Sequence, residues 1–292
     1  MKRKKAVLSD FAKEYVTYSK SVHTAGTSAG IELAFSQFIR IVRDLTLEEV
    51  SVRIIERFLA VKTSEASIWT ARNYYASLAS AFNTAVRWGL LGHNVFKDVK
   101  KPKANELMPL YFTTEDFAAL LATINDPDFR DLCLVGLYTG LRLSEISSLE
   151  WDDIDFDRSL INLRNKTWFT TKTKRDRVVP ISKHLMGVVR TRREAAKQNI
   201  STMVFHREGK RLTKDYISKQ FKKYVRKSGV NPKLHFHSLR HSAGSHMVQS
   251  GVSIYTVQKV LGHASISTTQ IYAHLRIEDL QDAVNRIPAV SH

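Results

Sequence analysis

The sequence predicts a mainly α protein with one small antiparallel β-sheet, and three observations predict it. Apolar residues recur at three- and four-residue spacing through residues 9–91, strand patterns are confined to residues 160–181, and a polar, basic stretch broken by Pro102 separates the two regions. The 292 residues, 43% of them hydrophobic, suffice for two domains with a core each, placed here at 1–104 and 105–292.

In the first region Ile31, Phe35, Phe38, Ile39 and Val42 mark one helical face. Ile54, Ile55, Phe58 and Leu59 mark a second, and Tyr74, Leu78, Ala81, Phe82, Ala85 and Val86 a third. About four helices are expected, closed by Gly89 and Gly92. Residues 94–106 (NVFKDVKKPKANE) then read as an exposed connection. The second region opens with a helix capped by Thr113 or Thr114, with Glu115 and Asp116 in its first turn. Two strand patterns, 160–163 (LINL) and 177–181 (RVVPI), flank a threonine- and aromatic-rich segment at 167–171 and make the expected sheet.

The formal net charge is +17, with about +8 before residue 105 and +9 after it. Charge spread over both domains points to a polyanion lying along the whole chain, although a basic surface also serves solubility. The single cysteine, Cys133, lies in an apolar run and reads as a buried small hydrophobe, so no internal disulfide and no cysteine metal site is expected. No apolar run reaches membrane-span length, and the basic start MKRKK is followed by no signal-peptide core, so a cytoplasmic protein is expected.

Several residues can carry chemistry. Arg142, in TGLRLSEI, sits close to an apolar run and needs an anion. Glu145 can supply it internally, or the pair can hold a guanidinium ready for a phosphate. His237 and Arg240, in HFHSLRH, share a helix face and combine a titratable group with a fixed charge. His237 and His241, four apart, also fit one side of a metal site, but no glutamate or cysteine accompanies them. His263 follows a helix-ending glycine and Tyr272 lies near Leu275; each also fits a purely structural role. Lys172, in TTKTKR, fits an ordinary turn.

Together the ordered segments TGLRLSEI, TKTKRDRVVP, HSLRHSAGSHM and VQKVLGHASISTTQIYAH resemble the tyrosine recombinases, the phage-integrase and Xer-like site-specific recombinases. The resemblance covers nearly the whole chain. It implies a helical core-binding domain before a catalytic domain, and a reaction that cuts and rejoins DNA through a covalent 3′-phosphotyrosine. By position it makes Tyr272 the nucleophile, Arg142 and Arg240 the phosphate-holding arginines, and Lys172 the general acid for the departing 5′ oxygen. It makes His237 the aid to proton transfer from the tyrosine, His263 a phosphate-bonding histidine and Glu145 the acid accompanying the first arginine.

Such chemistry needs no cofactor, and the sequence contains neither a glycine-rich nucleotide phosphate loop nor a magnesium-type carboxylate cluster. The implied partner is double-stranded DNA bearing recombination sites, gripped between the two domains, with a monomer in solution, a tetramer on DNA and accessory bending proteins in some systems. The helical pattern at 213–228 carries Lys214, Lys219, Lys222, Lys223 and Arg226 as DNA-contact candidates, alongside Arg72 in the first domain and Lys100 and Lys101 in the connection. An amphipathic pattern at 277–287 fits docking on a neighbouring protomer or packing on its own domain. A type IB topoisomerase and a DNA-binding regulator without cleavage are the competing readings.

Overall fold

The computed structural model describes residues 6–104, 108–166, 169, 176–196, 201–275 and 284–285. The chain divides into two compact units, Met1–Leu107 and Met108–His292.

The first unit is built from α1 (Leu8–Val22), α2 (Ala25–Val42), α3 (Val52–Glu65) and α4 (Ile68–Arg87). Thr24 caps α2 and Ser67 caps α4, each accepting a bond from a first-turn amide that has no partner within its helix. The apolar faces meet in an aromatic core. The rings of Phe38 and Phe58 lie edge to face at 4.9 Å, and those of Phe82 and Phe96 are tilted against each other at 4.8 Å.

Phe96 and Val99 correct the exposed connection expected from residue 94 onward, because both are buried. The Asn94 side chain donates to Ala79 O and Asn83 Oδ1, and the Tyr75 hydroxyl donates to the carbonyls of Phe96 and Val99. The chain therefore folds back onto α4 before it becomes solvent-exposed at Lys100 and Lys101.

The second unit contains α5 (Thr114–Thr123), α6 (Pro127–Thr139), the single turn α7 (Leu143–Ile146), β1 (Ile154–Asp155), β2 (Leu160–Leu163), β3 (Arg177–Pro180) and α8 (Lys183–Ala196). These are followed by β4 (His206–Arg207), β5 (Lys210–Arg211), α9 (Lys214–Lys227), α10 (Phe236–Gln249), α11 (Ile254–Leu261) and α12 (Ser267–Gln270). Strands β1, β2 and β3 form an antiparallel meander in which Ile161 faces Val179 and Leu163 faces Arg177.

Strands outside 160–181 were not expected. Strand β1 is two residues long, too short to show alternation. The β4–β5 hairpin turns on Glu208 and Gly209, both at positive φ, the conformation a two-residue hairpin loop requires.

Helices α6 and α10 cross closely because Gly136 presents no side chain: a Cβ there would lie 3.0 Å from Leu239 Cδ1. Asp126 and Pro127 start α6, and Gly140 ends it in the left-handed conformation while packing against the Leu261 side chain. The ends of α6 and α11 are thereby brought against α10. Cys133 is fully buried in this core, and burial pushes its thiol pKa up, so it remains a protonated small hydrophobe. No helix among the described residues is long and apolar enough to cross a membrane.

Candidate active site

Two helix C-termini, those of α6 and α11, define the site. An α-helix leaves its last carbonyls without internal partners, and their aligned dipoles attract cations. Arg240, on α10 and 2% exposed, donates from Nη1 to Gly140 O at the end of α6 (2.7 Å) and from Nη2 to Leu261 O at the end of α11 (2.6 Å). Burial, then the like charge of Arg142, pushes its pKa down to about 9, so it is still a cation at neutral pH.

Arg142 stands at the N-terminus of α7. Its amide donates to Glu145 Oε2 (2.8 Å), its Nη1 to Glu145 Oε1 (3.0 Å) and its Nη2 to Gly262 O (3.2 Å). Glu145 is fully buried. Burial alone would raise its pKa, but the bonds and charges of Arg177 and Arg142 outweigh that and hold it below the usual carboxylate range.

Arg177 is the member of this group that sequence patterns missed. It opens the apolar strand β3, where it reads as a flanking charge, yet its Nη1 and Nη2 take both Glu145 oxygens at 2.8 and 2.7 Å. The available signal was Glu145 itself, since a buried carboxylate demands several donors.

His263 follows Gly262, which ends α11 in the left-handed conformation, and its Nδ1 lies 2.8 Å from Thr269 Oγ1. Desolvation, then Arg240 and Arg142, pushes its pKa down to about 3. His241 on α10 is pushed down to about 4, by desolvation and then by His235 and Arg240. Both rings are therefore neutral at pH 7.

Tyr272 is 1% exposed and lies over Gly244 of α10. Its hydroxyl is hydrogen-bonded to His241 Nδ1 at 2.9 Å, and burial, only partly offset by Arg240, pushes its pKa up to about 12. The expected proton partner was His237; the recorded bond is to His241, one turn further along the same helix. His237 is exposed, with its ring edge-on to His241 at 4.9 Å. That edge-to-face packing is the geometry found for the pair first considered as metal ligands. Among the described residues no group of three or more His, Cys, Asp or Glu is placed to hold a metal ion.

Lys172 lies outside the described residues, as does all of 277–287 except Val284 and Asn285. The remaining basic candidates behave differently from one another. Helix α9 buries Ile217, Phe221 and Val225 and exposes Lys214, Lys219, Lys223 and Arg226. Lys219 pairs with Asp215 at 2.8 Å. Lys222 is turned to an internal task, donating to the carbonyls of Pro232 and Leu234 and so tying α9 to the loop before α10. In the first unit the Arg72 guanidinium lies 5.4 Å from the centre of the Trp69 ring, a cation–π pair at the start of α4.

Comparison with known proteins adds independent findings. Residues 111–278 match the phage integrase family, and residues 7–103 match the phage integrase SAM-like domain. Tyrosine recombinase XerC of Chlamydia caviae is 29% identical over 260 residues, covering 85% of this chain and 77% of that protein. Tyrosine recombinase XerA of Thermococcus kodakarensis is 36% identical over 192 residues, covering 63% of this chain and 65% of the relative.

Among solved structures, the Tn1549 transposon integrase in complex with transposon right end DNA superimposes with a TM-score of 0.78 at 19% identity, covering 97% of this chain and all of that one. A lambda integrase tetramer bound to a Holliday junction gives 0.75 at 18% identity, covering 89% of this chain and 78% of the other. With the integrase match spanning more than half of its residues, the chain belongs to the phage integrase family, the tyrosine recombinases.

Proposed function

We propose that this protein is a site-specific DNA recombinase that cuts and rejoins strands through a covalent bond between Tyr272 and a backbone phosphate. The observation that carries the proposal is the convergence at the ends of α6 and α11. Two arginines, the buried Arg240 and the half-buried Arg142, are fixed there beside the neutral His263, and the Tyr272 hydroxyl is bonded to His241, which shares α10 with Arg240.

The chemistry follows from what each group does. A phosphodiester seated against Arg142, Arg240 and His263 gains donors on its non-bridging oxygens, where charge builds up as phosphorus is attacked. Removing one such prepositioned donor costs on the order of 100- to 1000-fold in rate. Tyr272 Oη attacks phosphorus and its proton passes to the histidine pair, with His241 as first acceptor and His237 beside it. The P–O5′ bond breaks, leaving a 3′-phosphotyrosine and a 5′ oxygen that takes a proton, a role assigned here to Lys172. Attack of a 5′-hydroxyl on the same phosphorus restores the phosphodiester and returns the proton to Tyr272. Because the ester energy is retained throughout, no ATP is required, and Arg142 and Arg240 supply the positive charge that a metal ion would bring elsewhere.

The DNA would lie along both units, with the exposed face of α9, Arg72, Lys100 and Lys101 as phosphate or groove contacts. The tetramer seen for lambda integrase on a Holliday junction is the assembly proposed for the working state.

The test is covalent trapping on nicked suicide substrates built from DNA flanking the gene, in EDTA, resolved on denaturing gels. Wild type should form an adduct and Tyr272→Phe none. Specific binding on native gels with no adduct would replace the enzyme by a DNA-binding regulator of the same fold.

A further inference from the structure

We infer that Arg177 is a positioning residue for the arginine site: it neutralises Glu145 so that the charge of Arg142 is left for the scissile phosphate. The inference rests on the recombinase proposal above and adds a third arginine to it, one that does not touch DNA.

Four donors converge on the two oxygens of Glu145. Arg177 supplies two through its planar fork, and Arg142 supplies its Nη1 and its own amide. One buried carboxylate can offset one cation. With Arg177 bound in the bidentate geometry, which is the tighter and more directional of the two pairings, the trio Arg177, Glu145 and Arg142 carries one net positive charge. That charge resides on Arg142, whose Nη2 reaches Gly262 O at the end of α11. Without Arg177, Arg142 becomes the main counterion of a buried carboxylate and is drawn toward it and away from any external anion.

The position of Arg177 is fixed from both sides. Its backbone is locked in β3 opposite Leu163. Its side chain passes directly beneath Gly262, where an added Cβ would lie 2.6 Å from both Cδ and Nε. Nε is buried and is among the few side-chain polar atoms of the described residues with no hydrogen-bond partner. Arg177 therefore spends its fork on Glu145 and its shaft on the glycine that precedes His263. A single side chain sets the floor under Arg142 and under the His263 loop together, and its Nη atoms are not free to bind phosphate.

The test uses the full-length protein on the suicide substrates and follows the rate of adduct formation against pH. The groups facing Glu145 are Arg142 from α7, Arg177 from β3 and Arg240 from α10, so removing Arg177 leaves desolvation with less opposition. Arg177→Met should lower the rate by about tenfold or more at neutral pH, and the loss should shrink as pH falls, because burial then raises the Glu145 pKa and its protonation releases Arg142. Adding Glu145→Gln removes the uncompensated carboxylate. The double variant should therefore be about tenfold faster than Arg177→Met alone at neutral pH, with no recovery on acidification. Arg177→Lys keeps the charge without the fork and should show the wild-type pH dependence while leaving the rate reduced; this milder variant decides the matter if Arg177→Met does not fold.

Losses that simply multiply in the double variant, a loss in Arg177→Met that does not shrink as pH falls, or an Arg177→Lys protein at the full wild-type rate would overturn the inference while leaving the recombinase assignment intact. An absence of adduct from wild type would instead remove the assignment on which it rests.

Discussion

Gly244→Ala sets two effects of opposite sign against each other in one substitution. Gly244 lies in the middle of α10, where alanine is favoured over glycine by about 1 kcal/mol. A Cβ there would meet Tyr272 Cε2 at 2.7 Å and Cζ at 2.8 Å, and Leu261 Cδ1 at 3.2 Å. Ordinary carbon contacts begin near 3.5 Å, so the ring must withdraw by roughly 0.8 Å. Overpacking of this kind costs about 1–3 kcal/mol, and loss of the bond to His241 adds about 1 kcal/mol. The variant should therefore be less stable by about 1–3 kcal/mol, read as a lower urea midpoint. Its adduct formation should fall on the order of 100-fold, the cost of misplacing a reacting group by about 1 Å. The same substitution placed on Tyr272→Leu meets no ring, and there it should stabilise by about 1 kcal/mol. A Gly244→Ala protein that is more stable than wild type and cleaves at full rate would refute the packing of Tyr272 on α10.

Other expectations can be checked with the same materials. Arg240→Ala should lose on the order of 100- to 1000-fold in adduct formation while still shifting DNA on native gels. It should also unfold at lower urea, since two buried helix-end carbonyls lose their donor. The folded pKa values of His241 and His263, about 4 and about 3, lie below the ordinary histidine value near 6.5. The unfolded chain therefore binds more protons between those limits, so stability is fully present above pH about 6.5 and is lost as pH falls toward 4. Urea midpoints at pH 7 and pH 5 test this, and equal midpoints would contradict it. A bound phosphate reverses the local field, so DNA binding should take up protons near pH 6, measurable by calorimetry in buffers of different ionisation enthalpy. If about six to ten phosphates are neutralised, affinity should drop by roughly 1000-fold or more between 50 and 200 mM salt.

The helical faces were legible because burial on a 3.6-residue period leaves a pattern in the chain, and Phe35, Phe38, Ile55, Phe58, Leu78 and Phe82 are all buried as that pattern implies. Other features depend on partners distant in sequence and leave no such trace. Phe96 and Val99 sit in a polar stretch, and only the donors Asn94 and Tyr75 reveal that it folds back. Arg177 opens an apolar strand and gains its meaning from Glu145, thirty-two positions earlier. His241 was overshadowed by its neighbour Arg240 and by its four-residue spacing from His237. Its contact with Tyr272 joins positions 31 apart, a relation created by the turn of chain through α11 and α12.

The free site is a concentration of positive charge held in check. Arg142, Arg177 and Arg240 share one carboxylate, and the helix-end carbonyls of Gly140, Leu261 and Gly262 supply the remaining negative potential. Burial first, then Arg240 and Arg142 for His263 and His235 and Arg240 for His241, keeps both rings neutral far below their ordinary titration range. Neutrality suits the chemistry proposed for them. A neutral imidazole at His241 can accept the tyrosine proton, whereas an imidazolium could not, and a phosphate arriving between the arginines raises the proton affinity of the ring just as the proton must be received. The same anion that needs the nucleophile thus prepares its base, which leaves Tyr272 protonated and unreactive, with a pKa near 12, until DNA is in place.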